Sequence, residues 1–195
     1  MNDILKGEKV RLRAPEPSDL DLIYEWENNT TVWQSGETLV PFSKDTLSKY
    51  IENAGEDIFR AGQVRFMICT YKEETVGTID LFDYNPVHSR AGVGIMIGNP
   101  ADRGKGYASE ALSLLLGYCR NVLLMHQVWC SVREDNQASI ALFKKAGFIQ
   151  TGIKSQWVLM PDGWKDEVFM QWRMENTEIH TNRIIQKNER RKSIF

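Results

Sequence analysis

Four residues, Arg103-Gly104-Lys105-Gly106, carry the clearest chemical signal in the chain. They lie between an apolar strand pattern and an amphipathic helix pattern, and a chain turning there from strand into helix aims several backbone N–H groups at one point. Anions bind at such points. Glycine at 104 and 106 removes side chains that would block a ligand and permits the backbone angles of a concave amide nest, while Arg103 and Lys105 set positive charge at its rim. A pyrophosphate fits this arrangement, although a glycine-rich turn without a ligand uses the same residues. Two common phosphate sites drop out. There is no GxxxxGK(S/T) run for a P-loop, and Gly92-Val93-Gly94 lies inside a strand pattern with the wrong spacing for a Rossmann fingerprint.

The elements that must position this turn are legible by period. Val10–Arg13 alternates apolar and basic residues as a first strand, and Ala14-Pro15-Glu16-Pro17 breaks it. Ser18 then reads as the N-cap of a helix whose face is Leu20, Ile23, Tyr24 and Glu27, fading at Asn28-Asn29. Ser43 caps a second helix through Leu47, Tyr50 and Ile51, stopped by Asn53-Ala54-Gly55. Residues 30–42 between them lack sustained periodicity and read as a long exposed loop of the kind that holds substrate. Residues 64–71 and 75–84 flank the polar turn Lys72-Glu73-Glu74 as a hairpin, and Arg90–Ile97 completes an antiparallel meander after Asn85-Pro86. Helical spacing returns over Tyr107–Asn121, a strand follows at 128–132, and a helix over 136–146 ends at Gly147. A last hairpin joins 156–160 to 164–173 through Pro161-Asp162-Gly163.

Composition bounds the class. A chain of 195 residues is the size of one ordinary domain, and 42% hydrophobic with 26% charged residues is a globular balance. The expectation is one domain over residues 1–175 and a polar tail over 176–195, with a mostly basic run at 187–192. A net charge of −2 gives no basic excess for nucleic acid. No apolar run, the Leu-rich residues 112–116 included, is long enough to cross a bilayer, and the N-terminus lacks a signal-peptide pattern. Cys69, Cys119 and Cys130 sit in apolar segments without CxxC spacing, as reduced buried thiols do, so the expected compartment is the cytoplasm. His88, His126 and His180 are scattered without ligand spacing, so no metal is expected.

With both helices placed, the chain resembles the GCN5-related N-acetyltransferases (GNAT), particularly the branch of ribosomal-protein alanine and spermidine acetyltransferases. The resemblance runs from Lys9 to about Met174. Arg103-Gly104-Lys105-Gly106-Tyr107-Ala108 meets the family pattern (Gln or Arg)-x-x-Gly-x-(Gly or Ala), and Asn136-Gln137-Ala138-Ser139 with Leu142-Phe143-Lys144-Lys145-Ala146-Gly147-Phe148 looks like its Asn-x-x-(Ser or Ala) helix ending in Gly-Phe. The implied fold is α/β, a mixed and mostly antiparallel sheet splayed between the fourth and fifth strands and flanked by helices. The implied co-substrate is acetyl-CoA. By resemblance, Arg103, Gly104, Lys105, Gly106, Tyr107 and Ala108 hold its pyrophosphate, backbone groups of Ile95, Met96 and Ile97 meet the pantetheine arm, and Asn136, Phe143 and Lys145 complete the cofactor wall.

Acetyl transfer needs a deprotonated amine, donors for the oxyanion and a proton for the leaving thiolate. The tyrosine that serves many relatives as acid is replaced by Phe143, which cannot donate a proton. Ser139 matches the serine attributed to the ribosomal-protein branch and is the candidate acid; packing as a small helical residue is the alternative. The strand glutamate of that branch counts to Val158, so the usual base is absent. Glu37, Asp80 and Asp83 are candidate bases or substrate carboxylates, and Trp33, with Trp157 and Trp164, could wall an acceptor pocket. The expected activity is acetylation of a primary amine on a polyamine, another small molecule or a protein N-terminus by direct transfer in a ternary complex, in a chain that could form homo-oligomers. A non-catalytic acyl-CoA sensor is the alternative that Phe143 and Val158 leave open.

Overall fold

The computed structural model describes residues 4–33 and 40–174. Along the chain come β1 (Val10–Arg13), α1 (Leu20–Glu27), α2 (Thr30–Trp33), α3 (Lys44–Glu52), α4 (Ile58–Ala61), β2 (Val64–Thr70), β3 (Thr75–Asn85) and β4 (Arg90–Ile97). After β4 follow α5 (Tyr107–Asn121), β5 (Gln127–Arg133), α6 (Gln137–Lys145), β6 (Ile149–Met160) and β7 (Gly163–Arg173). The strands form one sheet in the order β1-β2-β3-β4-β5-β7-β6, antiparallel throughout except for the parallel pair β4–β5.

That parallel pair is short. It joins only Arg90 to Gln127, Ala91 to Val128 and Gly92 to Trp129, so the last five residues of β4 and the last four of β5 part from one another. The opening is the expected splay. On one face of the sheet α5 and α6 bury Leu112, Leu115, Ile140 and Phe143 against Ile68, Ile79, Leu81, Val93, Val128 and Met170. On the other, α1 and α3 bury Ile23, Trp26, Leu47 and Ile51 against Met67, Cys69 and Met96. This second face is covered over β2 to β4, while Trp129, Ser131, Glu167 and Phe169 of β5 and β7 stay partly exposed beside the splay.

Four expectations change. Ser18 does not cap the first helix: it lies inside a 3-10 turn over Pro17–Asp19, because the Asp19 carboxylate turns back to accept from the Glu16 N–H at 2.8 Å and to pair with Arg13 at 2.6 and 2.8 Å. The segment read as loop begins as the helical turn α2, whose Trp33 indole N–H donates to the Glu27 carbonyl at 2.5 Å. Residues 34–39, including Glu37, lie outside the described residues, as does the tail from 175. A short helix, α4, is closed by the Asp57 side chain at one end and Gly62 at the other, and four residues are too few for a period to reveal it. Finally, β6 begins at Ile149, well before the expected 156, because a bulge between Lys154 and Val158 interrupts the alternation by which a strand is read.

Candidate active site

Gly104 and Gly106 adopt φ of 77° and 89°, and Gly106 is the N-cap of the 15-residue α5. Glycine has no side chain to cap with, so the first-turn amides of α5 keep their donors turned to solvent together with the helix dipole. The backbone here has the positive-φ turn that a nest requires. Arg103 stands at its rim without an ion pair among the described residues, whereas the Lys105 ammonium is held by Asp102 at 2.7 Å. Tyr107 and Ala108 open the helix, half-buried.

A further cation reaches the nest from the far end of the sequence. Lys9 Nζ donates to the Lys105 carbonyl at 3.1 Å, directly over Gly106. The segment carrying Lys9 is fastened by Glu110 on α5, whose carboxylate accepts from the N–H groups of Glu8, Lys9 and Val10 at 2.9, 2.8 and 2.7 Å. Neither residue was legible as part of the site. The sequence offered only a charged run near the N-terminus and one acid in the first helical turn.

From the nest the gap runs along β4. Gly98 donates its N–H to the Val76 carbonyl and Met96 is opposite Thr78, so by strand alternation Met96 turns its backbone groups to β3. Ile95 and Ile97 turn theirs into the gap. Of the three expected backbone contacts, two thus face the opening and one is engaged in the sheet. Across the gap, Asn136 caps α6, its Oδ1 accepting from the Ser139 N–H at 3.1 Å. The Ser139 hydroxyl, half-buried, has no partner among the described residues. Phe143 is only 4% exposed and packs edge-on against Phe148 with centroids 5.0 Å apart, which places its ring in the core behind the gap, and Lys145 is exposed in the last turn of α6.

The candidate acids separate. Asp80 lies under α1 and α3, gripped by Arg65 at 2.8 and 3.1 Å, and the same guanidinium reaches Glu27 at 2.5 Å. Burial pushes the Asp80 carboxyl above the usual carboxylate range, against the pull of Arg65. Burial likewise disfavours the Arg65 charge, but Asp80 and Glu27 hold its pKa above the ordinary value. Arg65 thus faces two carboxyl groups, Asp80 and Glu27, and the Tyr50 ring lies 5.3 Å from it. Asp83 sits elsewhere, exposed on a β3 irregularity with φ of 50°. The two aspartates do not form a joint site. Trp33 joins the triad's neighbourhood through Glu27, while Trp157 and Trp164 are largely exposed on the β6–β7 hairpin.

The residues present fit a nucleotide pyrophosphate: a cradle of two positive-φ glycines, uncapped helix amides, and the cations Lys9 and Arg103 around them. No group of three His, Cys, Asp or Glu side chains suited to a metal occurs among the described residues, and none of their helices is long and apolar enough to cross a membrane.

Residues 9–149 match the family described as an acetyltransferase (GNAT) domain. The spermidine N(1)-acetyltransferase of Escherichia coli K12 is 30% identical over 148 residues, spanning 73% of this chain and 74% of the relative. The Vibrio cholerae enzyme of the same name is 26% identical over 144 residues, 74% of this chain and 81% of its own. Among solved structures, spermidine N-acetyltransferase from Vibrio cholerae in complex with CoA and spermine superposes with a TM-score of 0.77 at 23% identity, covering 86% of this chain and 96% of that one. At that identity the likeness establishes the shared fold.

Proposed function

The chain belongs to the GNAT acetyltransferases, and from that premise we propose that it transfers acetyl directly from acetyl-CoA to a small primary amine, with both substrates held together in the gap between β4 and β5. The observation that carries the proposal is the uncapped glycine nest at the start of α5, aligned with a strand gap that the backbone groups of Ile95 and Ile97 face. Acetyl-CoA supplies the activated thioester. Lys9, Arg103 and the α5 amides balance the pyrophosphate charge, and the Ile95 and Ile97 backbone groups pair with the pantetheine amides as an adjacent strand would. Asn136 keeps α6 in register, and Lys145 adds charge at the rim. Ser139, with its hydroxyl unengaged, donates to the leaving thiolate. Holding both reactants in one gap supplies much of the rate through proximity.

The acceptor we favour is a polyamine. The relatives at 30% and 26% identity are spermidine acetyltransferases, and the Glu27–Arg65–Asp80 group sets two carboxyl groups beside one guanidinium. A protein N-terminus has no counterpart in those names. Exposed Ile149, Ile153 and Leu159 on the edge strand β6 suit a contact between copies, and a dodecameric form is known for the Vibrio cholerae protein. The buried thiols fit a cytoplasmic home.

The test is acetyl-CoA turnover over a panel of primary amines, with protection against heat by acetyl-CoA alone as the binding readout. Turnover of polyamines is expected. Binding without turnover of any amine would favour the alternative, a non-catalytic acyl-CoA sensor, for which the buried Phe143 ring is the specific observation.

A further inference from the structure

Lys154 belongs to β6, yet its side chain crosses the intervening β7 and ends against β5. Its Nζ donates to the Ser131 Oγ at 2.8 Å and to Glu167 Oε2 at 3.3 Å, and lies 5.0 and 5.8 Å from the ring centroids of Trp157 and Phe169. A hydroxyl oxygen, a carboxylate and two aromatic faces are the groups that bind a primary alkylammonium. The surroundings are built for the purpose. Four residue steps of β6 from Lys154 to Val158 oppose two of β7 from Glu167 to Lys165, Gln156 sits in the bulge at φ 49°, and its N–H is held by Asp166 Oδ1 at 2.7 Å. That bulge swings Trp157 over the ammonium. Glu167 is 17% exposed and Lys154 31%, so the charge pair is mostly shielded but reachable.

The location matters as much as the chemistry. Ser131 lies two residues past Trp129, the last β5 residue paired to β4, and so lines the mouth of the gap. It is on the face that α1 and α3 leave uncovered among the described residues.

We infer that Ser131, Glu167, Trp157 and Phe169 form the subsite for the acceptor's primary ammonium, and that Lys154 fills it as a tethered stand-in which an acceptor displaces. The inference rests on the acetyltransferase reading above and names the place where its acceptor binds. It selects unhindered primary ammonium groups, which present donors to both oxygens at once, over tertiary amines, which present one.

The experiment compares KM and kcat for 1,4-diaminobutane in Lys154→Met, Glu167→Gln, Trp157→Ala and a charge control, Lys165→Met, whose ammonium is paired with Asp162 outside the cage. A site filled by its own lysine nine-tenths of the time costs the acceptor about tenfold in apparent affinity, so Lys154→Met should lower KM by about that factor. Glu167→Gln and Trp157→Ala should raise KM, and Lys165→Met should leave it alone. An unchanged or raised KM in Lys154→Met, an unchanged KM in Glu167→Gln, or the same gain from Lys165→Met overturns the inference. Calorimetric binding of 1,4-diaminobutane to the protein without acetyl-CoA should follow the same order. If that order holds while the wild type turns over no amine, the transferase reading fails and the cage stands; if amines are acetylated but the order is absent, the cage alone falls.

Discussion

Replacing Glu110 with alanine removes one carboxylate that accepts from three consecutive backbone N–H groups, those of Glu8, Lys9 and Val10, at 2.7 to 2.9 Å. Hydrogen bonds to a charged acceptor contribute about 1.5 to 3 kcal/mol each when buried, and less where water substitutes. Glu8 and Lys9 are exposed and would recover bonds to water, whereas Val10 is fully buried and its N–H would lose its partner inside the protein. The loss therefore concentrates on one bond and part of two others, for a total of about 2 to 4 kcal/mol. For a chain of this size each kcal/mol lowers Tm by about 2 to 4 °C, so a fall of roughly 4 to 16 °C is expected in thermal unfolding followed by circular dichroism. Glu110→Gln, which retains one acceptor oxygen, should fall between. Because the same carboxylate fastens the segment whose Lys9 overhangs the nest, acetyl-CoA affinity should weaken as well. A Tm within 2 °C of wild type, or a large fall with acetyl-CoA affinity intact, would refute the reasoning that this contact both anchors β1 and positions Lys9.

Bulky residues at Gly104 and Gly106 should abolish the thermal protection given by acetyl-CoA, since both positions need positive φ; unchanged protection would place the phosphate elsewhere. Ser139→Ala should lower kcat much more than it weakens acetyl-CoA binding, and a raised KM at constant kcat would make it a binding residue instead. Burial disfavours ionised Asp19, but the Arg13 pair and the Glu16 N–H outweigh it and hold its carboxyl below the usual range. A depressed folded pKa contributes stability present above the unfolded value, near pH 3.9, and lost as pH falls through the folded one. Asp19→Asn should thus be destabilised at neutral pH and converge on wild type in acid, and a parallel offset at every pH would contradict the assignment. Burial pushes the Cys119 and Cys130 thiols up to about 12, so both should resist alkylation at pH 8 until the chain unfolds.

The sequence by itself determined what depends on residues close together along the chain. The nest is a matter of six consecutive residues at a strand-to-helix turn, and the bounds of β4 and α5 follow from periods of two and 3.6, so Arg103 to Ala108 were legible with their chemistry. The cap of α6 by Asn136 is likewise local. What the tertiary structure alone decided is who meets whom across the sheet. Asp80 read as a candidate base or substrate carboxylate until β2 brought Arg65 beside it, and Lys9 read as one charge in a run until β1 packed on α5 and set it over Gly106. Ser131, Lys154 and Glu167 carry no spacing signal at all. They meet because β7 inserts between β5 and β6 and because a bulge breaks the alternation of β6. Periodicity reports the backbone's local geometry and the face a residue occupies, but the partner on that face is set by strand order and register, which the chain resolves only when the whole sheet has formed.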